Sequence, residues 1–236
     1  HLVDLMAVDR QRQGAAKARV PKQFSPYGVV IVEVGEQHEV APFCGLPQPH
    51  RIFVPLFALL EKRIVAEIHP PGLKLAFDEN GTVTAATSSP LTDGAAATLV
   101  CSEAYAQENG LESIARIKSI AVSGCKPETM GLGPIFASRK ALARAELSAD
   151  AIDVVEINEA FATQSIASVR DLDLDIDKVN IDGGAIAIGH PLGATGARIT
   201  GKAAQILKRE GGRYALSTQC IGGGQGIATV METVGV

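Results

Sequence analysis

The sequence has no tryptophan, only 4% aromatic residues, and four cysteines that never occur as a CxxC pair. The wide spacing of Cys44, Cys101, Cys125 and Cys220 argues against a metal site or a redox pair. It favours free thiols in a reducing intracellular compartment, with cytoplasm, mitochondrion and peroxisome all open. No apolar run reaches the roughly 18–20 residues that a membrane-spanning helix needs. The net charge of -4 argues against a general, charge-driven nucleic-acid binder and leaves a local basic patch open.

Glycine is abundant, with 24 residues, and 46% of the chain is hydrophobic. From residue 80 onward, β-prone runs alternate with helical patterns, which predicts an α/β layered fold around a mostly parallel sheet. The predicted strands cover residues 28–34, 81–86, 95–101, 114–122, 152–157, 214–218 and 227–231. The predicted helices cover 5–17, 56–68, 103–108, the segment after Pro134, 160–170 and 193–210.

The first candidate functional segment is NEAF at residues 158–161, directly after a predicted strand. Functional side chains are often presented at such strand ends. Asn158 is a candidate for chemistry, although an Asn at a strand-to-helix junction is often only an N-cap.

The second segment is the glycine-rich run at 183–196, which leads into a predicted helix. Such a run can be an anion-binding loop at a helix N-terminus, but it has neither a P-loop ending nor dinucleotide-fingerprint spacing. His190 stands between Gly189 and Pro191, so the backbone restricts its direction. It is therefore a candidate catalytic base, with a structural histidine as the alternative.

The third segment is CIGGGQG at 220–226. Its glycines allow a close backbone approach and free N–H groups to point at an oxyanion. Cys220 at its head is a candidate for acid/base or nucleophilic work, and a buried inert thiol is the alternative.

Taken together, these segments resemble the thiolase family, as do MGLGP at 130–134, LKLAF at 73–77 and TDGAAA at 92–97. The resemblance is strong over 73–236, weaker over 5–34, and fades between 35 and 71. It implies a layered αβαβα fold of two similar halves, with the N-terminal half largely missing. Residues 1–72 would be a loop-domain remnant, 73–112 the end of the N-terminal half, and 113–236 the C-terminal domain.

The resemblance also implies an acyl-CoA C-acyltransferase that condenses acyl-CoA or cleaves 3-oxoacyl-CoA. His190 would activate a nucleophilic cysteine and donate to a thioester oxyanion, and Asn158 would hold the water that completes this oxyanion hole. Cys220 would move the proton on the reacting carbon. The Gly222 N–H would contribute to a second oxyanion hole.

Ser89 and Phe161 would line the tunnel for pantetheine. Glu159 is a weaker candidate for a functional role than the other polar residues. CoA and acyl-CoA are substrates, and no bound cofactor is implied. The full-length protein would be a homodimer or homotetramer. The family's nucleophile lies in a CxSG-type setting that Cys44 does not match, so we expect this chain alone to be inactive.

Two departures bear on the assignment. Residues 87–92 read TSSPLT where the family has Asn-Ala-Ser-Gly-Ile-Asn, which is nearer to the branch serving fatty-acid oxidation. That branch usually has His where this chain has Asn158, so the branch stays open. A non-catalytic acyl-CoA-binding or scaffold paralogue is the main alternative, and a Cys–His hydrolase using Cys220 and His190 is a weaker one.

Overall fold

The structure of the protein is a computed structural model, which describes residues 74–234 and the backbone of residues 28–33. The predicted helices at 5–17 and 56–68 lie outside the described residues, as do Cys44 and most of the proposed loop-domain remnant. The strand predicted at 28–34 is present as β1.

The described elements follow one another in the order that the hydrophobic patterns predict, with two exceptions: residues 81–86 form no strand, and the short helix Ala185–Ile188 was not predicted. Short 3-10 turns lie at Ala85–Thr87, Pro127–Leu132, Ala149–Ala151 and Ile176–Lys178. The strands are β1 (Gly28–Glu33), β2 (Ala97–Ser102), β3 (Ala115–Gly124), β4 (Val154–Ile157), β5 (Tyr214–Ile221) and β6 (Gln225–Thr233). The helices are α1 (Glu103–Glu108), α2 (Gly133–Ala145), α3 (Ala162–Asp171), α4 (Ala185–Ile188) and α5 (Thr195–Glu210).

The six strands form one sheet in the order β2-β1-β3-β6-β5-β4. Only β4 and β5 pair in parallel, and every other pair is antiparallel. The prediction of a mostly parallel sheet was therefore wrong. A tight glycine turn joins β5 to β6 and permits only an antiparallel hairpin, whereas the helical crossover between β4 and β5 allows parallel pairing.

Two local predictions also differ from the structure. Residues 81–86 form no strand, because Thr84 makes only an isolated bridge with Leu75 and a 3-10 turn follows. Strand β2 forms as expected but is not buried, since Leu99 and Val100 are each 47% exposed. An apolar run thus identified the strand, but it did not establish that both faces of the strand are covered.

Helices cover both faces of the sheet, and the core is correspondingly divided into two clusters. Leu216 and Val230 face α2, while their chain neighbours Ala215 and Met231 face α5. This alternation follows from the two-residue period of a strand. Helix α5 buries the predicted apolar positions and ends at Gly211, which adopts the left-handed conformation (φ 68°) that favours glycine.

Two glycines let the start of α2 lie directly against the start of β6. A Cβ on Gly226 would overlap the backbone of Gly133, and a Cβ on Gly133 would overlap the backbone of Gln225. This contact sits beside the 222–224 turn. It fixes the turn against α2 and thereby positions the end of β5.

Candidate active site

The three candidate segments meet at one edge of the sheet. Strands β4 and β5 are parallel, so their carboxyl ends lie side by side. Asn158 follows β4, and its N–H donates to the Thr218 carbonyl at 3.0 Å, two residues before Cys220. The side-chain amide of Asn158 reaches His190, with Nδ2 3.4 Å from Nε2. The structure thus brings Asn158 and His190 into contact and places Cys220 on the adjacent strand.

His190 is held at both its backbone and its ring. Its N–H donates to Thr92 Oγ1 at 3.1 Å, and Leu91 pairs with it in a parallel bridge. Gly189 precedes it at φ 95°, where a Cβ would overlap the Thr92 side chain. Ring atom Nδ1 lies 2.6 Å from Thr195 Oγ1. These contacts fix the direction in which the imidazole points.

The environment of His190 favours its neutral form. Burial lowers the pKa of this imidazole below its ordinary value of 6.5, and the nearby positive charge of Arg198 lowers it further. The ring is therefore neutral at pH 7, with one nitrogen free to accept a proton, as a general base requires.

Asn158 is only 1% exposed and does not cap a helix. Helix α3 has Phe161 at its N-cap position, without a side-chain cap, so the capping interpretation of Asn158 was wrong. Its Oδ1 is buried and has no hydrogen-bond partner among the described residues. A buried acceptor left unpaired is costly and calls for an explanation.

Glu159 has a larger structural role than its sequence rank suggested. Its buried carboxylate accepts from Asn180 Nδ2 at 2.7 Å and from the Ile186 N–H at 3.0 Å. A Cβ on Gly184 would overlap this carboxylate. Glu159 therefore fastens the segment at 184–186, four residues before His190, to the end of β4.

Cys220 is half-buried near the end of β5. Burial raises the pKa of its thiol above the ordinary value of 9.0, and the neighbouring Cys125 thiol adds to this. The thiol is therefore protonated at neutral pH and is suited to give a proton. In the turn that follows, Gly222 is exposed, whereas Gly224 (φ 94°) accepts a 2.8 Å hydrogen bond from the Cys125 N–H.

Ser89 and Phe161 lie on neighbouring segments beside this edge. The Ser89 N–H donates to the Ala160 carbonyl at 3.1 Å, and Ser88 forms an antiparallel bridge with Phe161. The Phe161 ring meets Phe77 edge-to-face, with centroids 6.4 Å apart. Both candidates thus border the same region as Asn158, which follows from pairing between residues about 70 positions apart.

Two apolar and three polar residues line the open cleft at His190. Leu91 and Leu192 line it together with Thr92 and Asp93, and they are 93% and 73% exposed. A single exposed leucine needs no explanation, but two that line one cleft give it a small apolar patch. The mouth of the site therefore combines an apolar leucine patch with polar side chains, and its floor at Asn158 and His190 is polar.

A buried ion pair supports the glycine-rich run from below. Lys202 Nζ lies 3.0 Å from Glu156 Oε1 and also donates to the Gly183 carbonyl oxygen at 2.6 Å. Burial raises the pKa of Glu156 to about 7 despite this lysine. Arg198 is near the same carboxylate, and its Nε and Nη1 are buried without partners in the described region.

Sequence reasoning missed Thr92, Asn180 and Thr195. Thr92 and Thr195 belong to segments that were singled out, so a signal existed: each is a hydroxyl next to a fixed glycine or proline turn. Asn180 had no such signal. It adopts a left-handed backbone (φ 47°) that only the fold reveals.

Within residues 74–234, no group of three or more His, Cys, Asp or Glu side chains could hold a metal ion. In the same range, no helix is long and apolar enough to cross a membrane.

Two family models match the chain. "Thiolase, C-terminal domain" matches residues 111–233, and "Thiolase, N-terminal domain" matches residues 61–104. The 3-ketoacyl-CoA thiolase of Salmonella typhimurium is 56% identical over 166 residues, which are 69% of this chain and 43% of that protein. The 3-ketoacyl-CoA thiolase of Pseudoalteromonas translucida is 56% identical over 158 residues, 66% of this chain and 41% of that protein.

Solved structures give the same result. Human mitochondrial 3-ketoacyl-CoA thiolase superposes with a TM-score of 0.68 and 48% identity, over 70% of this chain and 42% of that one. The Bacillus anthracis acetyl-CoA acetyltransferase superposes with a TM-score of 0.67 and 45% identity, over 69% of this chain and 41% of that one. The chain spans less than half the length of the curated relatives it matches.

These matches confirm the thiolase-like α/β fold that the motifs predicted. The C-terminal model alone covers more than half of the 236 residues. The chain belongs to the thiolase family.

Proposed function

We propose that this chain forms part of a thiolase-type acyl-CoA C-acyltransferase, which makes or cleaves the carbon–carbon bond of a 3-oxoacyl-CoA thioester. The observation that carries the proposal is the contact between Asn158 and His190 at the sheet edge, next to the strand that bears Cys220. A neutral imidazole and a protonated thiol at one edge suit proton transfer in both directions. CoA and acyl-CoA are the substrates, with no metal or bound cofactor.

In this proposal, His190 takes the proton of a nucleophilic thiol on the N-terminal half of the enzyme. The thiolate then attacks the thioester carbonyl, CoA leaves with the proton of the Cys220 thiol, and an acyl-enzyme remains. In condensation, the Cys220 thiolate formed in this way removes a proton from the carbon beside the second thioester, the carbanion attacks the acyl-enzyme, and the departing nucleophile recovers its proton from His190. In cleavage the same steps run in reverse, so the Cys220 thiol gives its proton to the carbanion. Splitting the reaction into two steps lowers each barrier.

Oxyanion stabilisation is assigned to the polar floor of the site. The unpaired Oδ1 of Asn158 can accept one hydrogen of a water, whose other hydrogen points at the thioester oxygen. The protonated Nε2 of His190 would donate to the same oxygen. The exposed backbone at Gly222 is assigned to the second oxyanion hole.

Substrate binding is assigned to the mouth of the site. Ser89 and Phe161 border the passage for pantetheine, and Leu91 and Leu192 supply apolar contacts at the entrance. The free thiols of the described region suit a reducing intracellular compartment. We further propose a homodimer or homotetramer for the full-length enzyme.

The test grafts residues 74–236 in place of the matching segment of the Salmonella typhimurium 3-ketoacyl-CoA thiolase and measures thiolysis of acetoacetyl-CoA. We expect an active chimera. His190→Gln and Cys220→Ser should each lower kcat by about 10²–10⁴, the usual contribution of acid–base groups. Cys101→Ser is the matched control, because Cys101 lies on β2 outside the site, and its activity should be unchanged. Full activity of Cys220→Ser would refute the assigned roles.

The second candidate is a non-catalytic acyl-CoA-binding paralogue. Calorimetry of the 236-residue chain with CoA, together with the chimera, separates the two. Binding of CoA with an inactive chimera would favour the paralogue.

A further inference from the structure

We propose that Thr195 is a positioning residue that keeps the proton of His190 on Nδ1 and leaves Nε2 bare. Thr195 opens α5 and is 1% exposed. Its hydroxyl oxygen lies 2.6 Å from His190 Nδ1 and 2.9 Å from the Pro191 carbonyl oxygen. The hydroxyl is thus enclosed between one ring nitrogen and one carbonyl.

The far side of the ring determines which nitrogen carries the proton. Asn158 Nδ2, 3.4 Å from His190 Nε2, belongs to an amide NH₂ group and can only donate. With the amide nitrogen assigned to the side facing the ring, Nε2 accepts. In a neutral imidazole one nitrogen is protonated and the other is bare, so the proton is on Nδ1.

On the Nδ1 side of the ring, the hydrogen bonds continue in the same direction. Because Nδ1 donates, the Thr195 oxygen accepts, and its own proton is free to go to the Pro191 carbonyl, which can only accept. Every link from Asn158 through His190 and Thr195 to Pro191 then has one donor and one acceptor. The Thr195 contact is the shorter of the two ring contacts, 2.6 Å against 3.4 Å, so it is the stronger constraint.

The catalytic consequence rests on the proposed function. A bare Nε2 can accept a thiol proton once it leaves the long 3.4 Å contact with the Asn158 amide, and the proton on Nδ1 need not move. When the imidazolium forms, Nδ1–H continues to donate to Thr195, so the partner of the charged ring is already in place. Thr195 touches no substrate in this scheme and acts only through His190.

The tautomer can be measured on the 236-residue chain without substrate, by long-range ¹H–¹⁵N correlation spectra after ¹⁵N-histidine labelling. Spectra at about pH 8, above the ordinary histidine pKa of about 6.5, report the neutral ring. His190→Gln identifies the His190 signals among the five histidines. We expect the proton on Nδ1 in the wild type and in Thr195→Ser.

Thr195→Val keeps the shape but leaves Nδ1–H without an acceptor. The Nδ1–H to Nε2–H population ratio should then fall on the order of tenfold to a hundredfold. Thr200→Val is the matched control on the same helix, because the Thr200 hydroxyl contacts Ser217 rather than His190. Its His190 signals should match the wild type. Thr195→Ala replaces the valine variant if the latter does not fold.

Finding the His190 proton on Nε2 in the wild-type protein would by itself overturn the inference. An unchanged Nδ1–H to Nε2–H ratio in a folded Thr195→Val variant would overturn it as well. The kinetic arm uses the chimera, where Thr195→Val should lower kcat about tenfold or more and Thr195→Ser should restore it. If the tautomer moves and kcat does not, the tautomer assignment stands and the role of His190 as base is refuted. The two failures are therefore distinguishable.

Discussion

Replacing Gly184 with alanine should destabilise the fold, because the added methyl group would displace the buried carboxylate that holds the segment before His190 in place. The new Cβ would overlap the Glu159 carboxylate, which is buried and cannot swing into solvent. Moving it breaks the hydrogen bonds from Asn180 Nδ2 and the Ile186 N–H. Two bonds to a charged group, at roughly 1.5–3 kcal/mol each, amount to about 3–6 kcal/mol.

A double-mutant cycle tests this mechanism rather than the cost alone. Glu159→Ala should lose the same two bonds and a similar free energy. Adding Gly184→Ala to it should cost little more, because the carboxylate that the methyl group would meet is gone. We therefore expect a coupling energy of about 3 kcal/mol, at the upper end of values for residues in contact.

The measurement is urea unfolding followed by circular dichroism, since the sequence has no tryptophan to report by fluorescence. Gly124→Ala is the matched control, because a Cβ there meets nothing within 4 Å. It should change stability by no more than about 0.5 kcal/mol. Additive costs in the cycle, or a Gly184→Ala variant as stable as the control, would refute the reasoning.

Four other outcomes are expected. Gly226→Ala should abolish the thermal unfolding transition because its Cβ meets the backbone of Gly133, whereas Gly222→Ala, which meets nothing, should melt near the wild type; equal melting of the two would contradict the packing. The lowered pKa of His190 means that the unfolded chain binds more protons, so stability should fall as pH drops below about 6.5, and His190→Gln should reduce that slope in urea midpoints measured against pH. The 236-residue chain alone should not thiolyse acetoacetyl-CoA, and robust turnover with an acyl group found on a cysteine by intact mass spectrometry would show that the nucleophile was misplaced. The half-exposed apolar side chains of β2 and β3 should drive association of the chain, which light scattering would refute by showing a monomer at high concentration.

The sequence was most informative where local pattern and local structure have the same cause. Helix α5 and strand β3 form close to their predicted positions, because apolar spacing and glycine stops act within a few residues. Strand direction was mispredicted, because alternating elements do not reveal that a three-residue glycine turn joins β5 to β6. Residues 81–86 looked β-prone, but a strand also needs a neighbour with which to pair.

The candidate site shows the same contrast between features set by local sequence and features set by distant contacts. His190 and Asn158 were identifiable, because each stands beside a turn or strand end that gives it a fixed direction. The contacts that hold them were not identifiable from spacing. Thr92 is 98 positions from His190, and Asn180 is 21 from Glu159, so only the folded chain brings these pairs together.

The hydrogen bond from His190 to Thr92 also has a kinetic consequence. Joining residues 98 positions apart costs loop-closure entropy that local contacts do not repay, so such contacts form late when a chain folds. Helix α5 and the β5–β6 hairpin can form early from near neighbours, while the imidazole reaches its final direction only after the segment at 91–92 has docked. The chemistry of His190 would then switch on at the end of folding, and a partly folded chain would carry an unaligned, inert base.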